Sequence, residues 1–445
     1  MYPVNRHIIN VGAGPVPART LAVAAILAIT ACSGDGDVVG DASKRCVLTL
    51  DAEVEQTVTR AAQTGVMDNT TLATTGFGVF IYDANGDCPS FVSAPQHVTY
   101  ANGDTPSEPI DDVHLHPRKW SYGTQHDWTE NETFSFYAYA PYASLPLSDP
   151  GTGITAIIAD ASGPTITYTV ATDPAQSVDL LWGVKGDTGL PWLSQTRLSN
   201  GGLVLFNFRH ALAAIGLHVQ AMIDKDNDIL DLTDEADPES LLGTDALKVT
   251  LQSITITPVN TYESDGITVK KAAQDFYGGG TLNLNNTTEA NRPEWTPGDR
   301  SISSLPLSSS QINSSLTSSG SGVLKTADEQ VVIAQSGGKD QFFMLLPDDA
   351  QNYEVSVEYT VRYKTGESTY KELKYISGEL GARTATFTSL PLVAGIRYWL
   401  NLVIGLRTVS VSVTAEDWQG QTVDLELLTE QGTSANSSLS RRAAN

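Results

Sequence analysis

The sequence predicts an all-β protein with two domains, and three observations carry that prediction. Runs of Val, Ile, Thr, Tyr and Phe recur along the chain, and turn residues, among them 37 Gly, bound them. That is the composition of strands joined by turns. The run from Cys46 to Ala61 alternates apolar and polar residues, the period of a strand buried on one side. A length of 445 residues, 41% of them hydrophobic, is enough for two cores.

Residues 1–31 read as an address rather than as part of the fold. Arg6 and Arg19 precede a short apolar run, Leu21 to Ile29. It falls far below the roughly 20 residues a membrane-spanning helix needs. Small residues and Cys32 follow, as at the end of a secretory signal peptide. The run Ile29-Thr30-Ala31-Cys32 resembles a bacterial lipobox. The resemblance implies cleavage before Cys32 and a lipid on that residue; the other reading is an ordinary signal peptide followed by an incidental Cys. The polar, Gly-rich stretch after Cys32 is a flexible tether. Its Asp35 and Asp37 resemble the acidic signal that sends some lipoproteins of the Bacteroidota to the cell surface. No other segment is apolar enough to span a membrane as a helix, so attachment is expected through lipid.

In the first strand, Leu48, Leu50, Ala52, Val54 and Val58 fall on one face. Thr49, Asp51, Glu53, Glu55, Thr57 and Thr59 fall on the other, and Arg60 ends the run. An Arg-X bond in an exposed connection suits a trypsin-like protease. Cutting there would strip a whole strand from its sheet, leaving an apolar groove and unpaired backbone groups. Such an edge is a template for a strand from another molecule. The alternative is an ordinary first strand with an incidental Arg.

Ala61 to Thr75 is polar and reads as a loop. Gly76 to Tyr82 is an aromatic strand that ends at the turn Asp83-Ala84-Asn85-Gly86. Phe134 to Tyr142 is another aromatic strand, and Asp179 to Trp182 is a short apolar run. Leu203 to Val219 reads as two apolar runs around His210-Ala211-Leu212. Residues 223–245 are acidic and lack aromatics, which marks a domain junction. A second β region begins at Leu247 and includes Phe342 to Pro347, Tyr353 to Tyr363, and two strands from Tyr398 to Val413 around Gly405. The Gly278-Gly279-Gly280 run lies within it, and the Ser-rich stretch from Ser301 to Gly322 reads as a long mobile loop. Near the end, Val423, Leu425 and Leu427 alternate with Asp424 and Glu426.

Asp and Glu outnumber Lys and Arg by 51 to 27, a formal charge of −24. So acidic a chain repels nucleic acid and anionic lipid head groups. The charge is spread rather than blocked and describes a solvated surface. Cys32, Cys46 and Cys88 are the cysteines. In an oxidising compartment a disulfide between Cys46 and Cys88 is an option, though it would tie down the strand that cleavage removes.

Motifs for chemistry are scarce. No nucleophile elbow, phosphate loop, H-E-x-x-H or paired C-x-x-C occurs, so the chain is expected not to be an enzyme and to carry no cofactor. His114 and His116 form a His-x-His with no third ligand beyond Asp111 and Asp112, so they read as strand histidines. Asp224 to Glu235 matches calcium-ligand spacing, but Ile229 stands where that loop needs Gly, which favours a solvated linker.

Several stretches together resemble the fimbrillin superfamily, the fimbrial subunits of Bacteroidota. They are Thr59-Arg60-Ala61 after an alternating strand, Gly76 to Tyr82, Phe134 to Tyr142, Asp179 to Trp182, Phe206 to Val219, Phe342 to Pro347, and Gly395 to Val413 leading to Trp418. The resemblance implies two tandem transthyretin-like β-sandwich domains after a lipoprotein signal peptide. It implies the divisions 1–31 (signal peptide), 32–60 (lipidated tether and removable first strand), 61–222 (N-terminal domain), 223–245 (linker) and 246–445 (C-terminal domain with a donor-strand tail). It also implies a surface fimbrium at the outer membrane, cleavage at Arg60-Ala61 by an Arg-specific protease, and polymerisation by strand donation from Val423, Leu425 and Leu427. The partners implied are other fimbrial subunits, the protease and a surface ligand. The alternative is a tip, accessory or stand-alone adhesin of the same fold.

Overall fold

A computed structural model describes residues 46–54, 66–100, 120–145, 147, 151–186, 188–221, 247–311, 331–332, 335–336, 339–364, 369–372, 383–405, 409–417 and 422–423. The elements of the first half are β1 (Thr49–Val54), α1 (Asn69–Thr75), β2 (Phe77–Asp83), β3 (Gln96–Tyr100), β4 (Trp120–Ser121), β5 (Thr133–Ala140), β6 (Gly153–Ile158) and β7 (Thr165–Thr169). They continue with β8 (Leu181–Val184), β9 (Trp192–Thr196), α2 (Arg197–Asn200), β10 (Leu203–His210) and β11 (Ala213–Ala221). As the composition predicts, the described chain is all-β apart from short helices.

The largest sheet runs β1-β10-β8-β5-β2-β3-β4, with β9 also paired to β5. Its two faces follow from the strand period of two. Phe77, Val79 and Ile81 of β2, Phe134 and Phe136 of β5, and Phe206 and Phe208 of β10 enter one core with Leu72, Val98 and Trp128. Phe80, Tyr82, Tyr137, Tyr139, Trp182 and Val184 enter another. That second core is much the larger. It takes in Ile166 and Tyr168 of β7 and Leu282, from a four-stranded sheet of β6, β7, Gly279–Asn283 and Glu294–Pro297. It then continues through Ile215 and Leu217 of β11 to Val355, Tyr398 and Leu400.

The far part of that core lies between two further sheets. One contains Val331–Val332, β11, Ile396–Ile404, Val409–Asp417 and Thr422–Val423, with Phe343–Leu345 also on β11. The other contains Leu305–Ser308, β12 (Leu247–Val259), Asp348–Lys364 and Tyr370–Glu372, with Arg383–Leu392 also on the long strand.

The sheets divide the chain differently from the expected boundary at 222–245. β11 falls in the expected N-terminal domain, yet it pairs in parallel with Ile396–Ile404 from Ala214 to Ala221. Gly279–Asn283 falls in the expected C-terminal domain, yet it pairs with β7. The reason lies at Ala211 and Leu212, both fully buried between β10 and β11. Ala211 N–H donates to Leu180 O at 2.8 Å, and Leu212 O accepts from Gly395 N–H at 3.0 Å. Ala211 O accepts from Trp295 Nε1 at 2.9 Å. Partners from both halves thus hold this junction, and the chain leaves one sheet and enters another within it. The acidic linker itself lies outside the described residues.

Two further readings change. α1 occupies part of the expected loop 61–75. Asp68 caps it by accepting from Thr71 N–H at 2.6 Å, and Gly76 ends it at φ 68°. Within the Ser-rich stretch, Leu305–Ser308 is a strand with Leu305 and Leu307 buried; residues 312–330 lie outside the described set.

The Gly run is a strand because it must be thin. A Cβ on Gly280 would meet Leu346 Cδ2 at 2.6 Å and Thr296 O at 2.9 Å. Gly280→Val is therefore expected to destabilise the protein by about 1–3 kcal/mol through overpacking. An unchanged urea midpoint would contradict this pairing of the halves.

Candidate functional site: an edge strand seated on its own core

β1 is the last strand at one end of the large sheet. It lies parallel to β10, with Thr49 opposite Leu203 and Val54 opposite Phe208. Parallel neighbours cannot be joined by a tight hairpin, and here much of the large sheet intervenes in sequence. Its one strand-pairing partner among the described residues is β10, and it also packs against β4 and α1.

The apolar face reads as expected. Leu48, Leu50, Ala52 and Val54 are each no more than 2% exposed. All four belong to the smaller core, with Phe77, Trp128, Phe206 and Phe208. None belongs to the large shared core. Phe77 meets Phe206 and Phe208 edge-on at 5.8 and 5.3 Å, so β1 closes a cluster of rings.

The polar face differs from expectation at Asp51, which is buried at 2% exposure. A carboxylate out of water needs hydrogen bonds, and Asp51 Oδ1 accepts from Ala52 N–H at 2.8 Å.

The outer backbone edge of β1 is partly sealed. Val47 bridges Asp127. Leu48 N–H donates to His126 O at 2.9 Å, and Trp128 N–H donates to Cys46 O at 2.8 Å. Tyr122 Oη donates to Leu48 O at 2.7 Å. At the other end Val54 N–H donates to Asn69 Oδ1 at 2.8 Å, from the first turn of α1. Such covering blunts an edge that would otherwise pair with other chains. Gly202, at φ 86°, lets the strand enter. A Cβ there would come within 2.5 Å of Cys46 Sγ.

Cys46 and Cys88 are not bonded to each other. Cys46 is buried, its Sγ 3.4 Å from Gly201 O. Cys88 is exposed in the segment after β2, near the carbonyls of Pro89 and Val92. The Cys46–Cys88 disulfide option is therefore not realised.

Beside β1 an open cleft of about 380 Å³ is lined by Asp83, Phe91, His126 and Glu132 among others. His126 stacks on Phe91 at 4.0 Å and places Nε2 3.0 Å from the Glu132 carboxylate. Burial opposes ionisation of Glu132, but the Thr129 N–H and His126 outweigh it and hold the carboxyl below its ordinary value. Its polar groups satisfy one another rather than converging on a reacting atom. Among the described residues no cluster of His, Cys, Asp and Glu could hold a metal ion. No helix among them is long and apolar enough to cross a membrane.

At the far end of the molecule, Thr422–Val423 pairs antiparallel with Val409–Asp417, placing Val423 opposite Ala415. Val423 therefore sits on its own chain's outer sheet edge. Cys32, Val58, Arg60, Ala61, His114, His116, Leu425, Leu427 and the Asp224–Glu235 stretch lie outside the described residues.

No family model matches the sequence, and no curated protein matches it. Among solved structures the chain is similar to a fimbrial protein from Bacteroides vulgatus, at 18% identity and TM-score 0.48 over 84% of this chain and 99% of that one. It is also similar to a candidate cell adhesion protein from Bacteroides uniformis, at 15% identity and TM-score 0.37 over 84% and 99%. A fimbrial assembly protein from Parabacteroides distasonis matches at 10% identity and TM-score 0.31 over 85% and 98%.

Leu50→Ala is expected to destabilise the smaller core by about 2–5 kcal/mol, read as a lower denaturation midpoint of the Trp128 environment. No change would mean that β1 is not seated as described.

Proposed function

We propose that the chain is a structural subunit of surface fimbriae, exported as a lipoprotein through Cys32 to the outer membrane. In this reading an Arg-specific protease cuts at Arg60-Ala61 and β1 leaves. The apolar segment around Val423, Leu425 and Leu427 of a neighbouring copy then fills the vacated groove. The fibre supports adhesion, and the chain performs no catalysis.

One observation carries the reading. β1 is an edge strand whose buried apolar side chains lie in the smaller core, paired with one neighbouring strand and not bonded to Cys88 through Cys46. Its departure would empty a groove without breaching the large core. Leu48, Leu50 and Val54 would leave behind an apolar surface worth about 1.5–3 kcal/mol each, an upper range because unfolded chains are partly compact. β10 would present unpaired backbone groups beside it. An incoming strand recovers both terms, and addition of copies head to tail is open-ended. The alternation of Val423, Leu425 and Leu427 with acidic residues matches that of the departing strand.

A second reading, a tip or accessory adhesin of the same fold, is favoured by the pairing of Val423 with Ala415 of its own chain. A subunit at the end of a fibre accepts a strand and need not donate one.

Two variants separate these readings. Arg60→Ala is expected to give a folded monomer and no polymer after trypsin, judged by intact mass and a denaturant-resistant ladder on a gel; a ladder from this variant would remove Arg60 from the scheme. Leu425→Asp is expected to permit trimming and block joining, since it places a charge in an apolar groove. Full polymer from it would move the donor elsewhere. Trimming of the parent chain without any ladder would favour the adhesin.

A further inference from the structure

A buried polar pair holds the segment just before α1. Asp179 precedes β8 and His210 ends β10; their side chains are 0% and 3% exposed. His210 Nδ1 lies 2.7 Å from Asp179 Oδ2. The same Oδ2 accepts from Met67 N–H at 3.0 Å. Val66 and Met67 are themselves buried, at 7% and 4% exposure.

Burying a carboxylate is costly unless it is paired and hydrogen-bonded. Here the bonds join three separated parts of the chain, so the pair does more than satisfy itself. The Met67 amide precedes the Asp68 cap of α1 and so has no intrahelical partner. Asp179 supplies one, and its bond is charge-assisted and correspondingly strong. Val66 also packs in the large core, whereas Met67 packs in the smaller one. The anchor therefore sits where the chain passes between the two cores.

We infer that Asp179 and His210 are positioning residues that fix the boundary between the removable N-terminal piece and the permanent body. The inference rests on the strand-removal reading proposed above. After cleavage, the new chain start would be held from Val66 and Met67 onward. Without the anchor, α1 and its Leu72, buried in the smaller core, would peel away with the cut end. The groove would then lose one wall before a donor arrived.

The test uses the full chain. In the intact protein, hydrogen exchange at the Met67 amide is measured for the parent, Asp179→Ala and Asp179→Asn. Loss of an accepting carboxylate is expected to speed exchange at Met67 about ten- to a hundred-fold, with less effect in Asp179→Asn, whose side-chain carbonyl still accepts. Exchange at Ile81, in the middle of β2, is expected to stay unchanged. Each protein is then trimmed with trypsin and an aminopeptidase and weighed. The parent is expected to stop at about Val66, and Asp179→Ala to be trimmed on toward Phe77. His210→Gln keeps a donor for the carboxylate and is expected to restore the parent endpoint, where His210→Leu does not.

Unchanged Met67 exchange and an unchanged endpoint in folded Asp179→Ala would overturn the inference. If Asp179→Ala does not fold, the same result in Asp179→Asn and His210→Leu overturns it. The exchange measurement needs no cleavage. A chain that resists trypsin at Arg60 while Met67 exchange responds as expected would therefore sink the strand-removal reading and leave the anchor standing.

Discussion

The seat of β1 on β10 is the contact on which the functional reading of this fold depends. A sheet buried on both faces has only its edges to offer. At one edge of the large sheet stands a strand whose apolar side chains complete the smaller core. Because β1 is parallel to β10, no short hairpin holds it there. Its hold comes from burial, from one ladder of hydrogen bonds and from a few side contacts through Tyr122, Asn69 and the 126–128 backbone. Burial terms of several kcal/mol are of the same order as the whole stability of a domain. In the proposed scheme such a strand would be secure while connected and replaceable once cut.

What remains behind is unusually well tied. β11 belongs by sequence to the first half and by pairing to the second. Gly279–Asn283 makes the opposite crossing. The two halves consequently share one continuous core, from Phe80 and Tyr139 through Leu217 to Leu400. Strand pairing, and not the linker alone, therefore connects the two halves.

Much of this was legible in the sequence, for identifiable reasons. The period of two in β1 was visible because one of its faces is apolar and the other acidic. The β10–β11 break at His210-Ala211-Leu212 showed as a change in an apolar run, but nothing local says that the second strand leaves the sheet. Strand pairing is a non-local property, and the parallel sense of β1 is equally silent in its own residues. α1 was hidden because Thr-rich sequence disfavours helix; its signal was the Asp68 cap with Gly76 at the end. Gly279 and Gly280 carry no strand signal of their own, because glycine is disfavoured in strands, whereas here two backbones approach too closely for any side chain. Asp51 looked solvent-facing because alternation assigns a face without saying what covers it. The Asp179–His210 pair was flagged as two separate motifs, and only folding brings them together on the Met67 amide.

The same junction explains how the two ends of the molecule communicate. β10 forms the wall of the groove, and after two buried residues the chain continues as β11. β11 pairs with Ile396–Ile404, which pairs with Val409–Asp417, which carries Thr422–Val423. The β10 edge beside β1 and the edge that holds Thr422–Val423 are thus joined by one strand-to-strand segment and two ladders of backbone hydrogen bonds. No flexible hinge lies on that path, because Ala211 and Leu212 are clamped by Leu180, Trp295 and Gly395. A pull applied between the two edges would run along covalent backbone through residues 203–221 and then shear paired strands, a direction in which many hydrogen bonds must break together. The crossing of β11 into the second sheet is therefore what would make the body stiff between its two edges.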